Sequence, residues 1–274
     1  MKSLIFISGP CVIENRNLVF ETANFIKKIT DDLGIRFIFK ASFDKANRSS
    51  SGSFRGLGID KGLQILGDLK TKYGVDIITD IHESYQAKQI ASIADIIQIP
   101  AFLCRQTDLL EAVTNEIINT NKIINIKKGQ FLAPWDMAQV IKKINNFGLP
   151  SESQRIWVTE RGTCFGYNTL VVDYRSFAQM KTLGCPIIFD ATHSVQQPGG
   201  MGERSGGQRE FVAPLARAAA AVGVDGFFME VHPDPENALS DGPNMVPLYR
   251  LEAILSDLIA IRKAIGNNPS ASTI

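Results

Sequence analysis

No apolar run in this chain is long enough to span a bilayer, and no pair of its four cysteines has CxxC spacing. Neither charge sign dominates: 29 basic side chains stand against 28 acidic ones, for a formal net charge of +1. The first absence argues against a membrane span, and the second against a disulfide framework. The third argues against binding nucleic acid or membrane by bulk charge, while leaving room for a local basic pocket. No GxGxxG follows the first β-rich run, which disfavours an open dinucleotide-binding sheet. The opening stretch Met1 to Pro10 has one lysine and no small-residue cleavage site, and it reads as a first strand rather than a signal peptide. Cys104, Cys164 and Cys185 are expected to be reduced thiols, mostly buried, in a cytoplasmic protein.

What is present is a rhythm. Of the 274 residues, 45% are hydrophobic, enough for one sizeable core. Short runs of Ile, Val and Phe fall at Leu4–Ser8, Arg36–Lys40, Asp76–Asp80, Ile96–Ile99, Ile123–Ile126, Ile156–Thr159, Ile187–Asp190 and Gly226–Glu230. Continuous apolar runs of that length suit parallel strands buried on both faces. Between them lie segments of helical period: Leu18–Leu33, Lys61–Tyr73, Ser84–Ile93, Asp108–Asn119, Asp136–Phe147, Tyr174–Leu183, Glu210–Val222 and Leu248–Ala264. Thr107 and Asp173 stand where N-caps belong, and Gly34, Gly74, Gly148, Gly184 and Gly223 mark helix ends. Eight βα units predict an α/β fold, a single-domain (β/α)8 TIM barrel over residues 1–265, with a doubly wound sheet as the alternative. The stretch 266–274, rich in Asn, Ser and Pro, is expected to be a disordered tail.

In such a barrel the chemistry sits at the C-terminal strand ends. Those ends are polar here: Cys11; Lys40, Lys45, Asn47 and Arg48; Asp80 and His82; Gln98; Lys127, Lys128 and Gln130; Glu160 and Arg161; Asp190, His193 and Gln196; Glu230, His232 and Asp241. Positive charge gathered at one mouth of a near-neutral protein suits a small polyanionic substrate. The loop Ala41–Gly58 sets Asn47, Arg48 and Ser49 among Ser and Gly, which fits a phosphate site or a plain flexible loop equally well. The loop His193–Gly207 reads as a lid or as an ordinary long turn. Cys11, His193, Glu230 and Asp241 form a ligand mixture suited to Zn2+ or Fe2+ rather than Mg2+, although their spacing carries no signal.

The runs GPCVIE, KASFDKANRSS (Lys40–Ser50), IITDIHE, QIPAFLCRQTDL, NIKKGQFLAPWD, TERGTCFGYNTLVVD, FDATHSVQQPGG and HPDPENALSDGP occur in this order along the chain. In them the chain resembles the 3-deoxy-D-manno-octulosonate 8-phosphate synthases, also called 2-dehydro-3-deoxyphosphooctonate aldolases, across roughly residues 4 to 265. The resemblance implies a cytoplasmic barrel enzyme, a transferase and usually a homotetramer. It would condense phosphoenolpyruvate with D-arabinose 5-phosphate and water, a step of lipopolysaccharide biosynthesis. It assigns phosphoenolpyruvate to Lys45, Gln98, Ala101, Lys127, Gln130 and Arg161, with Lys40 close by, and the arabinose phosphate to Asn47, Arg48 and Ser49. Arg105 is expected to reach in from a neighbouring subunit, and Asp80 and His193 to lie near the aldehyde. Cys11 in GPC is similar to the metal-dependent class, whose ligands would here be Cys11, His193, Glu230 and Asp241, holding Zn2+, Fe2+, Mn2+ or another divalent ion. A sister synthase that uses erythrose 4-phosphate reads KPRTS where this chain has Lys45-Ala46-Asn47-Arg48-Ser49. A non-catalytic sugar-phosphate binder would lack catalytic positions.

Overall fold

The computed structural model describes residues 4–47, 52–200 and 206–266. Among them, eight parallel strands close on themselves: β1 (Ile5–Gly9), β2 (Arg36–Lys40), β3 (Asp76–Asp80), β4 (Ile96–Ile99), β5 (Ile123–Lys127), β6 (Ile156–Glu160), β7 (Ile187–Asp190) and β8 (Gly226–His232). Each pairs with its chain neighbour, and β8 returns to β1 with Gly9 opposite Glu230, so the sheet has no free edge. Eight helices cover the outside: α1 (Arg16–Leu33), α2 (Ile59–Tyr73), α3 (Ala87–Ile93), α4 (Thr107–Ile117), α5 (Met137–Asn146), α6 (Arg175–Lys181), α7 (Val212–Val222) and α8 (Leu251–Ile265). This is the expected (β/α)8 barrel. The disordered tail expected at 266–274 lies, beyond Gly266, outside the described residues.

Strand side chains alternate between two cores. One alternation, with Phe6, Phe39, Ile77, Ile97, Ile124, Val158, Phe189 and Phe227, packs outward under the helices. The other gives a second apolar cluster with one residue from every strand: Ile7, Ile38, Ile78, Ile96, Ile123, Trp157, Ile188 and Phe228. That layer plugs the barrel. Two residues further along the same strands come Lys40, Asp80, Gln98, Asn125, Thr159, Asp190 and Glu230, all buried. The pleat thus stacks a polar layer about 7 Å above an apolar one.

Local chemistry explains most element ends. Asn15 caps α1, its side chain accepting from the Leu18 amide at 3.0 Å, and Gly34, with φ of 67°, ends it. Gly9 is required for a different reason. A Cβ there would stand 2.1 Å from the Lys40 carbonyl oxygen, so only glycine lets β1 hand the chain to Cys11 so close to β2.

Four expectations are corrected. Thr107 is not a cap: it lies inside α4, and its hydroxyl accepts from Lys143 Nζ at 2.8 Å. Asp173 lies one position ahead of the N-cap Tyr174, although its carboxylate accepts from the Arg175 amide at 3.0 Å. Cys164 is exposed, because Thr163–Gly166 and Thr169–Val171 form a hairpin that projects beyond β6. The segment read as one long loop after β7 contains a short antiparallel pairing, Gln196–Gln197 with Gly206–Gly207.

Candidate active site

The polar layer opens into a cavity of about 680 Å3 at the C-terminal mouth. Its walls include Lys40, Lys45, Asn47, Asp80, Gln98, Ala101, Lys127, Gln130, Arg161, His193 and Asp241. Residues separated by up to 201 positions therefore meet in one space. Arg48 and Ser49 lie outside the described residues. Arg105 is exposed, and it does not line this chain's own cavity.

The cations do not form a bare positive cluster. On one side, Lys127 Nζ donates to Asp190 Oδ2 at 2.6 Å and stands 4.0 Å from the Phe228 ring centroid. Asp190 also takes His193 Nδ1 at 2.8 Å, and the His193 amide at 2.9 Å. Against a carboxylate at that distance Nδ1 is the donor, and Nε2 is the ring nitrogen turned to the other side. Nε2 faces Glu230 Oε2 at 3.5 Å and Asp241 Oδ2 at 4.0 Å. On the other side, Ser42 Oγ accepts from Lys40 at 3.0 Å and from Lys45 at 2.8 Å. Its proton goes to Asp80, whose oxygens lie 2.9 and 2.8 Å away. Lys40 also donates to Cys11 O at 3.0 Å and Glu230 Oε1 at 2.9 Å, so its three donors are all taken.

Burial and pairing set the titration of these groups. Burial alone would raise the carboxyls of Asp80 and Asp190. The lysines beside Asp80, and His193 with Lys127 beside Asp190, instead hold both well below the usual range. Glu230 is likewise brought down to about 2, chiefly by Lys40 and His193 against its burial. Burial would depress Lys45, but the surrounding Cys11, Asp80, Glu230 and Asp241 raise it above the ordinary lysine value. Burial does prevail at Lys127 and Arg161, whose charged forms are disfavoured relative to free side chains. Both cations are held desolvated, where an anionic ligand would be felt most strongly.

Several buried polar atoms on the cavity residues have no hydrogen-bond partner among the described residues: Gln98 Oε1, Gln130 Oε1 and Arg161 Nη1. They are free to meet a ligand. Glu230 Oε2 is a fourth such atom, and it belongs to a different set. Donor atoms of Cys11, Glu230 and Asp241 lie within 4.8 Å of one another, with His193 Nε2 beside both carboxylates. Burial pushes the Cys11 thiol up, and the thiol rests 3.2 Å from Asp241 Oδ2 and 2.9 Å from Ser240 Oγ. A thiol, an imidazole lone pair and two carboxylates turned toward one point repel unless a cation or protons stand between them. The donor set therefore fits a thiophilic or borderline divalent metal ion.

Other polar strand-end residues are engaged elsewhere. Lys128 follows directly on Lys127, the last residue of β5, and turns to the opposite side. It lies 3.6 Å from Glu160, and donates to Thr163 Oγ1 at 3.0 Å and Leu132 O at 3.2 Å, tying the hairpin to the loop after β5. His232 faces Glu14 at 3.3 Å and is not a cavity residue, whereas His82 lines the cavity and contacts Asp44 O at 3.0 Å. Ser42 and Asp190, which organise the two lysine clusters, carry no signal of that role in the sequence. Their partners are brought to them only by the closed sheet.

The sequence profile of the DAHP synthetase I family matches residues 2–265. The chain is 60% identical to the 2-dehydro-3-deoxyphosphooctonate aldolase of Cyanothece sp., over 94% of this chain and 92% of that protein. It is 55% identical to the protein of that name in Synechococcus sp., over 98% and 92%. With that of Francisella tularensis subsp. holarctica it shares 52% identity, over 98% and 94%. The chain belongs to the DAHP synthetase I family, and within it to the 2-dehydro-3-deoxyphosphooctonate aldolases.

Proposed function

We propose that the protein condenses phosphoenolpyruvate with D-arabinose 5-phosphate and water, releasing 3-deoxy-D-manno-octulosonate 8-phosphate and inorganic phosphate. The product would serve lipopolysaccharide core synthesis in the cytoplasm, made by a homotetramer. The observation that carries the reading is the meeting of Lys45, Gln98, Lys127, Gln130, Arg161, Asp80 and His193 around one cavity. Its size suits two small phosphorylated substrates held side by side.

In this reading Arg161, Lys127, Lys45, Gln98, Gln130 and the backbone near Ala101 hold phosphoenolpyruvate. The partnerless Arg161 Nη1 and the desolvated Lys127 meet its anionic groups. Asn47, Arg48 and Ser49 take the aldose phosphate, helped by Arg105 of a neighbouring subunit, and Lys40 shapes the floor. Asp80 and His193 sit beside the aldehyde. The methylene carbon of phosphoenolpyruvate attacks the aldehyde carbon; the double-bond electrons become the new C–C bond, and the aldehyde oxygen gains a proton. Water adds to the phosphate-bearing carbon, left electron-poor by that step, and loses a proton; phosphate then leaves that carbon by C–O cleavage to give the keto acid. Cys11, His193, Glu230 and Asp241 would hold the divalent ion, Zn2+ or Fe2+ by donor type with Mn2+ also suitable. When bound, the ion supplies Lewis acidity that orients the aldehyde or activates water.

The sister reading, with erythrose 4-phosphate as acceptor, shares every element except the loop. Here Asn47 stands beyond Ala46, and Asn47 lines the cavity. Phosphate release is to be measured on metal-loaded protein with phosphoenolpyruvate and each aldose phosphate in turn. Arabinose 5-phosphate should be preferred by at least about a hundredfold in kcat/KM, the discrimination available to a site built around a substrate hydroxyl. Preference for the four-carbon sugar would move the protein to the sister reaction, and no phosphate release with either would leave a binding protein.

A further inference from the structure

The anion side of the mouth, Arg161 and Lys127, comes from the ends of β6 and β5. The cation side comes from β8, from the loop after β1, from His193 just past β7 and from the turn at Asp241. Between them stands Gln196, which leaves β7 and belongs to neither set. Arg161 Nη2 donates to Gln196 Oε1 at 2.9 Å, and Gln196 Nε2 donates to Asp241 Oδ1 at 3.1 Å. The amide can serve both contacts in one orientation only. Flipped, it would set donor against donor at the guanidinium and acceptor against acceptor at the carboxylate.

Both ends of this bridge are constrained. Arg161 is buried, and Gln196 accepts from one terminal nitrogen while the other, Nη1, has no partner among the described residues. Asp241 has a left-handed backbone with φ of 49°, unusual for a residue other than glycine. Its Oδ1 goes to Gln196, which leaves Oδ2 turned toward Cys11 Sγ at 3.2 Å and His193 Nε2 at 4.0 Å. The backbone of Gln196 pairs with Gly207. A Cβ at Gly207 would stand 1.5 Å from Asn244 Oδ1, so this ribbon lies tightly on the turn that follows Asp241. The backbone is pinned, and the half-buried side chain is the adjustable part.

We propose that Gln196 is a positioning residue that couples the anion site at Arg161 to the cation site at Cys11, His193, Glu230 and Asp241. This rests on the proposed function for the identity of the anion, phosphoenolpyruvate. An anion on Arg161 Nη1 draws the guanidinium toward itself, Gln196 follows, and the Asp241 carboxylate turns with it. A cation held by Asp241 Oδ2 fixes the same chain from the other end. Binding free energies are reciprocal, so each ligand changes the affinity of the other by the same factor.

The test titrates Co2+ into metal-free protein and follows the near-ultraviolet thiolate-to-cobalt absorption, with and without saturating phosphoenolpyruvate. Weak chelation by phosphoenolpyruvate in solution is common to all samples and cancels between proteins. In the wild type the cobalt affinity should change about fivefold or more on adding phosphoenolpyruvate. In Gln196→Met, which keeps the length and loses both hydrogen bonds, the change should fall below about twofold. Gln196→Glu keeps an acceptor for Arg161 and cannot donate to Asp241, so it should lose the coupling as well. An undiminished shift in either variant, or no shift in the wild type, would overturn the proposal. Calorimetry of phosphoenolpyruvate on the metal-free wild type separates the two levels. Absence of binding sinks the proposed function along with the coupling, whereas normal binding that leaves cobalt affinity unchanged sinks the coupling alone.

Discussion

Two layers of the barrel interior are built from the same strands, one pleat apart, and do opposite things. Ile38, Ile78, Ile188 and Phe228 form the apolar plug; two residues further on, Lys40, Asp80, Asp190 and Glu230 form the floor of the mouth. The lower layer is stabilised by removing hydrocarbon from water, and the upper layer carries desolvated charges that must be matched. The strand geometry is common to both, so the difference is chemical. Net stability comes from the plug; the pairs above it contribute positioned charge, and breaking one strands its partner buried and unmatched.

The comparison predicts how each layer should fail. The largest effect belongs to Lys127→Met, which removes a desolvated cation from the mouth: kcat/KM should fall by about a hundredfold to a thousandfold. Phosphate release reads this, and thermal melting should show the fold retained. Next is Asp190→Leu, which leaves Lys127 buried without its carboxylate. Urea denaturation should show a loss of about 3–5 kcal/mol, and activity should fall too because His193 loses the partner of Nδ1. One pleat below, Ile78→Val should cost about 0.5–1.5 kcal/mol by denaturation and leave kcat within about twofold. A large kcat effect at Ile78 would break the division between layers.

The smallest effect is invisible at neutral pH. Asp80 is held well below its ordinary value of 3.8 when folded. A depressed carboxyl contributes stability that is whole above its unfolded pKa and drains away as pH falls through the folded one. The urea midpoint should therefore be flat in this respect above about pH 4 and fall below it, and Asp80→Asn should flatten that acid limb.

The same division decides what could be read in the sequence. The strands were legible because the plug and the outward core both demand apolar side chains, leaving nearly continuous Ile, Val and Phe runs. The observed strands agree within two residues, β8 extending furthest, to His232. The hairpin at Thr163–Val171 escaped notice because its first strand is wholly exposed and imposes no apolar alternation. Thr107 misled because a threonine before a helical run resembles a cap whether or not its hydroxyl turns back to the helix. At the mouth, residue type and strand-end position indicated Lys45, Lys127 and Arg161. The matching of each lysine by a carboxylate, the Ser42 hub and the Gln196 bridge depend on partners as distant as the closed barrel allows. The adjacent pair Lys127 and Lys128 could be assigned to different sides only once the pleat was in view.

The central claim about this protein is that a cationic substrate pocket and a thiol-containing metal site share one cavity. The most direct measurement is a crystal structure of protein soaked with Cd2+ and phosphoenolpyruvate, with anomalous scattering locating the cadmium. The expected result is an anomalous peak bonded to Cys11 Sγ, His193 Nε2, Glu230 and Asp241, with the phosphoenolpyruvate anion on Arg161 and Lys127 in the same chamber. A cadmium peak that avoids Cys11, or phosphoenolpyruvate bound away from Arg161, would contradict it.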